Sequence, residues 1–547
     1  MWYRQSDGQD SRRTGYSLLS GALIVAGIAL RLWQFAGRSA LWTDEATLAN
    51  NIVSRSFGRL IFEPLGHHQA APVGFLVIEK LAVIVFGANE LSLRAYPVLC
   101  SIASLFLLWR LATRLLPSAS VPIVLASFAL APPLIFYAAE SKQYSSDIAI
   151  ALALMLFSLE VRERAASETI TATRGVWAAL AGALAVWFSQ PAVLMVAGIG
   201  AALAIGALAS RARGQSDRLA WIIGAWMTSA LAATLVSLHH LTPESHAFMR
   251  TFWSEGFWPL SLRHPSSLAW PFARFALLIG GQLGIPTSVG FACALLAAGG
   301  IAATWRNEWR TSLLLVMPLF VALGASAAHV YPFAERLSLF LIPSLLLLAA
   351  IGVTEMAAAA RSKRGGEIVT AGVTIVALVI AVQALYAAPP VYRREEITPA
   401  IAYLRNERRA SDASYVFYGG VPAYDFYDAR DPLLTTTTMG ECHRGNSAAY
   451  LAELDRFRGR PRVWLLFAHE IPKLHERELM LKHLDEIGSP RDSMVTHGRD
   501  TNGAATYVRL YLYDLSVAPA VNARALTEAS GESIALEPRL RCAPPSD

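Results

Sequence analysis

Apolar runs separated by short polar stretches fill the chain from residue 16 to residue 387. Most of these runs are close to the roughly 20 residues that an α-helix needs to cross a bilayer. Counting them predicts about eleven membrane spans. We place these spans at 16–36, 91–113, 118–137, 144–161, 175–189, 191–210, 218–238, 287–304, 312–330, 337–358 and 367–387.

Two further apolar segments do not fit a membrane span. Segment 71–87 is short and carries Glu79 and Lys80 at its centre, and segment 268–283 begins with an aromatic and proline-containing stretch. Short apolar helices that carry charges can lie in the membrane interface instead of crossing it. We therefore predict two helices on the outer membrane surface.

The basic residues support this topology. With 71–87 on the outer surface, five basic clusters fall at cytoplasmic span ends, as the positive-inside rule requires. These clusters lie at 110–114, 162–164, 211–213, 306–310 and 361–364. The N-terminus is then cytoplasmic, its first apolar run is a retained span rather than a cleaved signal, and everything after the eleventh span is extracytoplasmic.

Composition agrees with a polytopic α-helical membrane protein. The 547 residues are 54% hydrophobic and only 16% charged, whereas soluble domains are about one quarter charged. The net charge of +6 does not indicate nucleic acid as a partner, because cationic residues of membrane proteins concentrate in cytoplasmic loops. Membrane lipids are the expected surroundings, and a bacterial inner membrane is the expected location.

The composition changes after the last span. We predict a transmembrane domain over 1–388 and a soluble, extracytoplasmic α/β domain over 389–547. Its strands are expected near 413–418, 462–468 and 506–513, and its helices near 397–407 and 447–457. Cys442 and Cys542 could form a disulfide in an extracytoplasmic domain, which would contribute roughly 3–5 kcal/mol in the chain-entropy model.

Under this topology, unusual polar and aromatic residues collect on the outer side. They are Asp44, Glu45, His67, His68, Tyr137, Glu140, Lys142, Tyr144, Glu335 and Arg336. Such a set suits a phosphorylated lipid that carries a sugar, because cations hold phosphate and a carboxylate can take a proton from an acceptor.

Each of these residues also has a structural interpretation. The two acids at 44–45 could begin a surface helix over 44–56 and complement its dipole. The histidines could lie near headgroups, Glu140 could simply pair with Lys142, and Arg336 could snorkel to the interface. The convergence of all of them on one side favours the functional interpretation.

Three sequence stretches resemble the GT-C glycosyltransferases that use polyprenyl phosphate, such as protein O-mannosyltransferases, aminoarabinose transferases and rhizobial galacturonosyltransferases. The stretches are Leu-Trp-Thr-Asp-Glu-Ala at 41–46, Gly-Ala-Asn-Glu-Leu-Ser-Leu-Arg-Ala-Tyr-Pro at 87–97, and Pro-Leu-Ile-Phe-Tyr-Ala-Ala-Glu-Ser-Lys-Gln-Tyr at 133–144. The resemblance covers residues 1–350 and extends only loosely to the tail.

The resemblance implies an inverting transfer of a hexose or pentose from a polyprenyl-phosphate donor to an extracytoplasmic glycan, lipid or protein. It implies catalytic roles for Asp44, Glu45 and Glu140, with Asp44 deprotonating or orienting the acceptor. Lys142, Arg336 and Arg94 become candidates for holding the lipid phosphate. The substrate-binding set adds His67, His68, Tyr137, Tyr144 and Glu335. Only part of the family's His-Pro-Pro element is present at 67–72, and no metal is predicted, with a divalent ion as the alternative.

Two other functions fit a polytopic chain. A lipid or solute transporter or flippase would be expected to show internal symmetry and polar residues within its spans, which we do not find. A non-catalytic envelope assembly protein would depend on its tail and not on Asp44. The tail itself could bind the acceptor or brace the outer loops.

Overall fold

A computed structural model describes residues 10–167, 171–210, 213–261, 264–361, 392–429, 437–499, 504–516, 537 and 540–542. The α-helices in this part of the chain are α1 (Asp10–Ala36), α2 (Thr43–Ser54), α3 (Phe57–Phe62), α4 (Val73–Phe86), α5 (Glu90–Leu115), α6 (Val121–Ala129), α7 (Pro132–Ala138), α8 (Tyr144–Ser167), α9 (Ala172–Phe188), α10 (Ala192–Ser210), α11 (Arg213–His239), α12 (Pro243–Phe252), α13 (Pro265–Leu283), α14 (Thr287–Ala327), α15 (Ile342–Arg361), α16 (Ile397–Glu407), α17 (Val421–Asp428), α18 (Ser447–Asp455) and α19 (Glu476–Ile487). The strands are β1 (Ala413–Val416), β2 (Thr437–Met439), β3 (Val463–Phe467), β4 (Ser489–Arg499) and β5 (Ala505–Asp514).

The long apolar helices confirm a polytopic helical membrane protein. Within the described ranges, 7 helices are long and apolar enough to cross a bilayer, or 8 if α6 and α7, which meet at 61°, form one bent span. The helix α14 covers two predicted spans, 287–304 and 312–330. Glu308, which lies between them, has non-helical backbone angles and marks the kink. Predicted span 367–387 and the predicted domain boundary after residue 388 lie outside the described residues.

Short helices follow the first span. The helix α4 has 14 residues, too few to cross a bilayer, and matches the segment that the sequence predicts as a surface helix. Lys80 on α4 donates hydrogen bonds to the carbonyls of Ile52 and Val53 in the last turn of α2, at 2.9 and 3.0 Å. Cations stabilise the carbonyl end of a helix, so α4 helps to fix α2 in place.

The C-terminal part contains a five-stranded mixed sheet in the order β2-β1-β3-β5-β4. Strand β1 pairs in parallel with β2 and β3, and β5 pairs antiparallel with β3 and β4. The predicted strands and helices are present, and α16 has the predicted bounds. The sequence pattern does not reveal β2, β4, α17 or α19.

The segment after α1 and the C-terminal sheet share one hydrophobic core. This core packs Leu41, Leu48 and Ile52 against Tyr424 and Trp464, and all five side chains are buried. Polar contacts reinforce it, since Thr43 Oγ1 donates to the carbonyl of Gly419 at 2.7 Å. The C-terminal sheet is therefore docked directly on α2.

Candidate active site

The first turn of α2 presents two neighbouring carboxylates to different surroundings. Helix residues that adjoin in sequence point about 100° apart, because one turn takes 3.6 residues. Asp44 therefore faces a cavity, with 21% of its side chain exposed. Glu45 faces the protein interior, with 2% of its side chain exposed.

Asp44 is held by two cations from distant parts of the chain. Lys142 Nζ donates to Asp44 Oδ1 at 3.0 Å, and Arg336 Nη2 lies 3.1 Å from Asp44 Oδ2. Lys142 also donates to Gln69 Oε1 at 2.7 Å. Burial opposes ionisation of Asp44, but Lys142 and Arg336 outweigh it and hold the pKa of Asp44 below its ordinary range. Asp44 is thus a carboxylate under ordinary conditions.

Trp42, just before α2, links the cationic groups to Glu140. The Arg394 guanidinium lies 3.8 Å from the centre of the Trp42 ring, and that of Arg336 lies 5.6 Å away. The indole Nε1–H donates to Glu140 Oε1 at 2.9 Å. Both guanidiniums lie within the roughly 6 Å over which cation–π attraction acts, so Trp42 helps to hold them at the site.

Glu45 forms a buried ion pair with Arg94. Arg94 Nε and Nη2 donate to the two carboxylate oxygens at 2.9 and 2.6 Å, and the backbone N–H of Ser141 donates to Glu45 Oε1 at 2.6 Å. Arg94 also binds the carbonyl of Ser39 at 2.7 Å. A paired Arg94 that lies off the cavity is a poor candidate for holding the lipid phosphate, and the pair instead fixes the position of α2.

Glu140 lies behind the cavity. Burial, followed by the neighbouring Glu45 carboxylate, raises the pKa of Glu140 to about 7. Its Oε2 is buried and has no hydrogen-bond partner among the described residues. Tyr137 is also buried behind the cavity, where its ring meets the edge of Tyr144 at 5.5 Å. Glu140 contacts the site through the Trp42 indole, and Tyr137 contacts it through the Tyr144 ring.

A cavity of about 1290 Å³ opens in front of Asp44. Its polar end contains Asp44, Lys142 and Arg336, together with Arg394 and His469 from the C-terminal domain. The lining also follows α9, α10 and α11, where it is mostly apolar, with Val186, Val193, Leu194, Ala233 and Leu238 beside the polar Thr234 and Ser237. The cavity thus joins a charged pocket to an apolar groove between membrane helices.

The predicted site residues divide into two groups. Those that line the cavity are Asp44, His67, His68, Lys142, Tyr144 and Arg336; those that do not are Glu45, Arg94, Tyr137, Glu140 and Glu335. His68 is fixed by a 2.8 Å hydrogen bond between its Nδ1 and the hydroxyl of Ser245. Glu335 is exposed and lies outside the lining.

The contribution of the tail to the site is not evident from the sequence. Residues 392–396 run past α2, and they bring Arg394 and the buried Glu395 to the cavity region. His469, just after β3, accompanies them. The run Arg-Arg-Glu-Glu at 393–396, placed after a long apolar segment, is the one available signal. It does not reveal which loop the run contacts.

Cys442 and Cys542 form a disulfide, with their Cα atoms 5.7 Å apart. Both residues line the cavity. Cys100 and Cys293 are free thiols. Among the described residues, no group of three or more His, Cys, Asp and Glu side chains is placed to hold a metal ion.

No family model matches the chain, and no curated protein matches it. Among solved structures, the chain is similar to the crystal structure of ArnT from Cupriavidus metallidurans bound to undecaprenyl phosphate, with 13% identity and a TM-score of 0.51 over 93% of this chain and 100% of that chain. The apo crystal structure of the same protein gives 14% identity and a TM-score of 0.50 with the same coverage. The chain therefore shares the overall fold of that structure, which supports the predicted architecture of membrane helices followed by a C-terminal α/β part.

Proposed function

We propose that this protein is an inverting glycosyltransferase that moves a sugar from a polyprenyl-phosphate donor to an extracytoplasmic acceptor. The observation that carries the proposal is the single cavity that joins a cationic pocket around Asp44 to an apolar groove between α9, α10 and α11. A polyprenyl-phosphate sugar has the same two parts, a charged head and a long apolar tail. The fold supports the proposal, because the similar ArnT structure is described as bound to undecaprenyl phosphate.

The charge of the pocket favours a phosphate. Three cationic side chains, Lys142, Arg336 and Arg394, lie around Asp44 and line the cavity. The charged residues of the lining are the cations Lys142, Arg250, Arg336 and Arg394 and the carboxylates Asp44 and Glu441, so the cations are in excess even when the nearby Glu395 is added. A phosphate would compensate this excess through charge-assisted hydrogen bonds, which are stronger than neutral ones.

The reaction needs little more than positioning and charge stabilisation. The acceptor attacks the anomeric carbon from the face opposite the phosphate, and the bond from that carbon to the phosphate oxygen breaks with its electron pair on the oxygen. Lys142, Arg336 and Arg394 stabilise the charge that develops on the departing phosphate. Asp44 keeps Lys142 and Arg336 in place and orients the acceptor.

The proposed function also implies a location and a membrane orientation for the protein. A donor lipid of this class meets an extracytoplasmic acceptor at the outer face of a bacterial inner membrane. The N-terminus is then cytoplasmic, and the sheet domain that docks on α2 is periplasmic. The Cys442–Cys542 disulfide is consistent with an oxidising compartment.

The direct test is transfer by purified protein. The wild type in detergent is supplied with radiolabelled undecaprenyl-phosphate hexoses and pentoses, plus an envelope extract as acceptor, and released undecaprenyl phosphate is measured. A heat-denatured sample and the corresponding nucleotide sugars are the controls. We expect release with at least one lipid donor, and no transfer of labelled sugar to the extract from the nucleotide sugars. Donor binding without any release would contradict the proposal and favour a transport or assembly role.

A further inference from the structure

A histidine–glutamate pair from the C-terminal domain lies at the cavity. His469 Nδ1 lies 2.8 Å from Glu395 Oε1. Glu395 is buried, whereas one third of the His469 side chain is exposed. His469 lines the cavity together with Asp44 and Trp42, and its ring centre lies 6.0 Å from that of Trp42.

The ionised state of Glu395 fixes the orientation of the proton on the imidazole. Burial alone would favour neutral Glu395, but the charge and hydrogen bond of His469, the Arg394 charge and a hydrogen bond from the Thr43 backbone together lower the pKa of Glu395; the last two act even when the imidazole is neutral. A carboxylate only accepts hydrogen bonds, so Nδ1 donates to Glu395 and the lone pair of a neutral imidazole is on Nε2. This is the arrangement by which a carboxylate orients a histidine that acts as a general base.

Asp44 is less suited to the same task. Lys142 and Arg336 contact its two oxygens and favour its ionised form. A carboxylate stabilised in this way is a weak proton acceptor, since base strength falls as the pKa falls. Imidazole, in general, ionises near neutral pH and suits proton transfer there.

The pair is not needed to hold the 392–396 segment on the sheet. The carbonyl of Arg393 accepts a hydrogen bond from the N–H of Arg499 at 2.6 Å, and the carbonyl of Glu396 accepts one from Thr496 Oγ1 at 2.7 Å. The hydroxyl of Thr506 bonds to the carbonyl of Arg394. These contacts fix the segment independently of His469.

The backbone of His469 is also held in an uncommon conformation. Its φ is 54°, in the left-handed region that residues other than glycine rarely adopt. Gly419 packs closely against it: a Cβ at position 419 would lie 2.8 Å from the His469 carbonyl oxygen. Gly419 also accepts the hydrogen bond from Thr43, so His469 and the start of α2 are fixed together.

We propose that His469, oriented by Glu395, is the general base that deprotonates a hydroxyl acceptor in the transfer reaction. The acceptor O–H gives its proton to His469 Nε2 while the oxygen forms the bond to the anomeric carbon, and the electron pair of the broken bond leaves on the phosphate. The inference rests on the proposed function and assigns its acceptor to the hydroxyl class, as in a sugar or a Ser/Thr side chain. An acceptor that attacks through an already ionised phosphate would not need this base.

The test compares His469→Gln with His475→Gln. His475 is in the same domain, has a φ of 52° and does not line the cavity, so it is a matched control. With the undecaprenyl-phosphate sugar that the wild type uses and an envelope extract, we expect the kcat of H469Q to fall by about a hundredfold or more, within the range for general bases. The dissociation constant of the donor and the Tm should stay at wild-type values, and H475Q should transfer normally.

Sodium azide separates loss of a base from other defects. Azide attacks the anomeric carbon without losing a proton, so H469Q should form the glycosyl azide at nearly the wild-type rate. Transfer by H469Q at the wild-type rate would overturn the assignment. A variant that loses donor binding and has a lower Tm as well as a lower rate would also overturn it, because these losses indicate a structural role. Failure of azide to restore turnover would overturn it too. A wild type that binds no lipid-linked sugar would instead overturn the proposed function itself.

Discussion

Asp44 and Glu45 are adjacent acids on one helix turn, yet they belong to two different regions of the molecule. Asp44 lies in the cavity, 21% exposed, with Lys142 and Arg336 as partners that also line the cavity. Glu45 is 2% exposed, and both of its oxygens bind Arg94 inside the protein. The same sequence motif therefore supplies one cavity-facing carboxylate and one interior carboxylate.

This difference in exposure determines what each ion pair can do. An ion pair that water and ligands can reach can exchange a partner for a substrate phosphate, whereas a buried bidentate pair cannot do so without a large desolvation cost. We therefore expect changes at Glu45 to affect stability first, and changes around Asp44 to affect binding and turnover first.

The largest expected effect is on the Glu45 side. Glu45→Gln leaves the buried Arg94 guanidinium without its counter-charge, and breaking a buried pair in this way costs about 3–5 kcal/mol. Thermal unfolding in detergent should show a strongly lowered Tm. Asp44→Asn should lower the Tm less, because water and ions in the cavity can solvate its partners. Equal Tm values for the two variants would remove the proposed distinction.

A smaller effect is expected on donor binding. Lys142→Met removes a charged hydrogen-bond donor from the pocket, and such bonds contribute about 1.5–3 kcal/mol. The dissociation constant of an undecaprenyl-phosphate sugar, measured by equilibrium binding, should rise about tenfold to a hundredfold. Lys482, exposed on α19, provides the control Lys482→Met. A Lys142→Met protein that binds the donor as tightly as the control would place the phosphate elsewhere.

Glu140, between the two regions, should make stability depend on pH. Its pKa is raised from 4.5 to about 7 in the folded protein, so the folded state favours the protonated form. That contribution is complete below pH 4.5 and is lost as the pH rises through 7. The Tm of the wild type, relative to that of Glu140→Gln, should therefore fall between pH 4.5 and pH 7 and level off above. A constant difference between the two proteins would contradict the assignment.

The smallest effect is expected at an exposed pair on the segment after α1. Arg59 and Glu63 are 2.8 Å apart, and their side chains are 58% and 46% exposed. Such i,i+4 pairs contribute only about 0.3–0.5 kcal/mol. Arg59→Gln should leave the Tm nearly unchanged and the donor affinity intact. A large loss of stability here would show that exposure does not distinguish structural from incidental pairs in this protein.

The sequence predicts the apolar helices well, because crossing a bilayer requires long apolar runs. It also predicts Asp44 and Lys142 as site residues. Their contact joins residues 98 positions apart, and hydrophobic patterns carry no information on such pairings. The sequence does not reveal the partner of Glu45 either, because a sequence motif does not show which side of a helix faces the protein interior.

The part of the site contributed by the tail was not predictable for a different reason. Arg394 and His469 reach the cavity because the sheet domain buries apolar side chains jointly with the segment around α2. That shared core is a tertiary contact between regions more than 300 residues apart. Composition indicated a separate domain but not where it docks.

We propose that glycosyl transfer by this protein depends on the Asp44 carboxylate, which faces the cavity. The most direct measurement is release of undecaprenyl phosphate by Asp44→Asn, with rates expressed per folded molecule and Glu63→Gln as an acidic control from the same segment. We expect a loss of about a hundredfold or more in the Asp44 variant, with normal release by Glu63→Gln. Wild-type release by folded Asp44→Asn would contradict it.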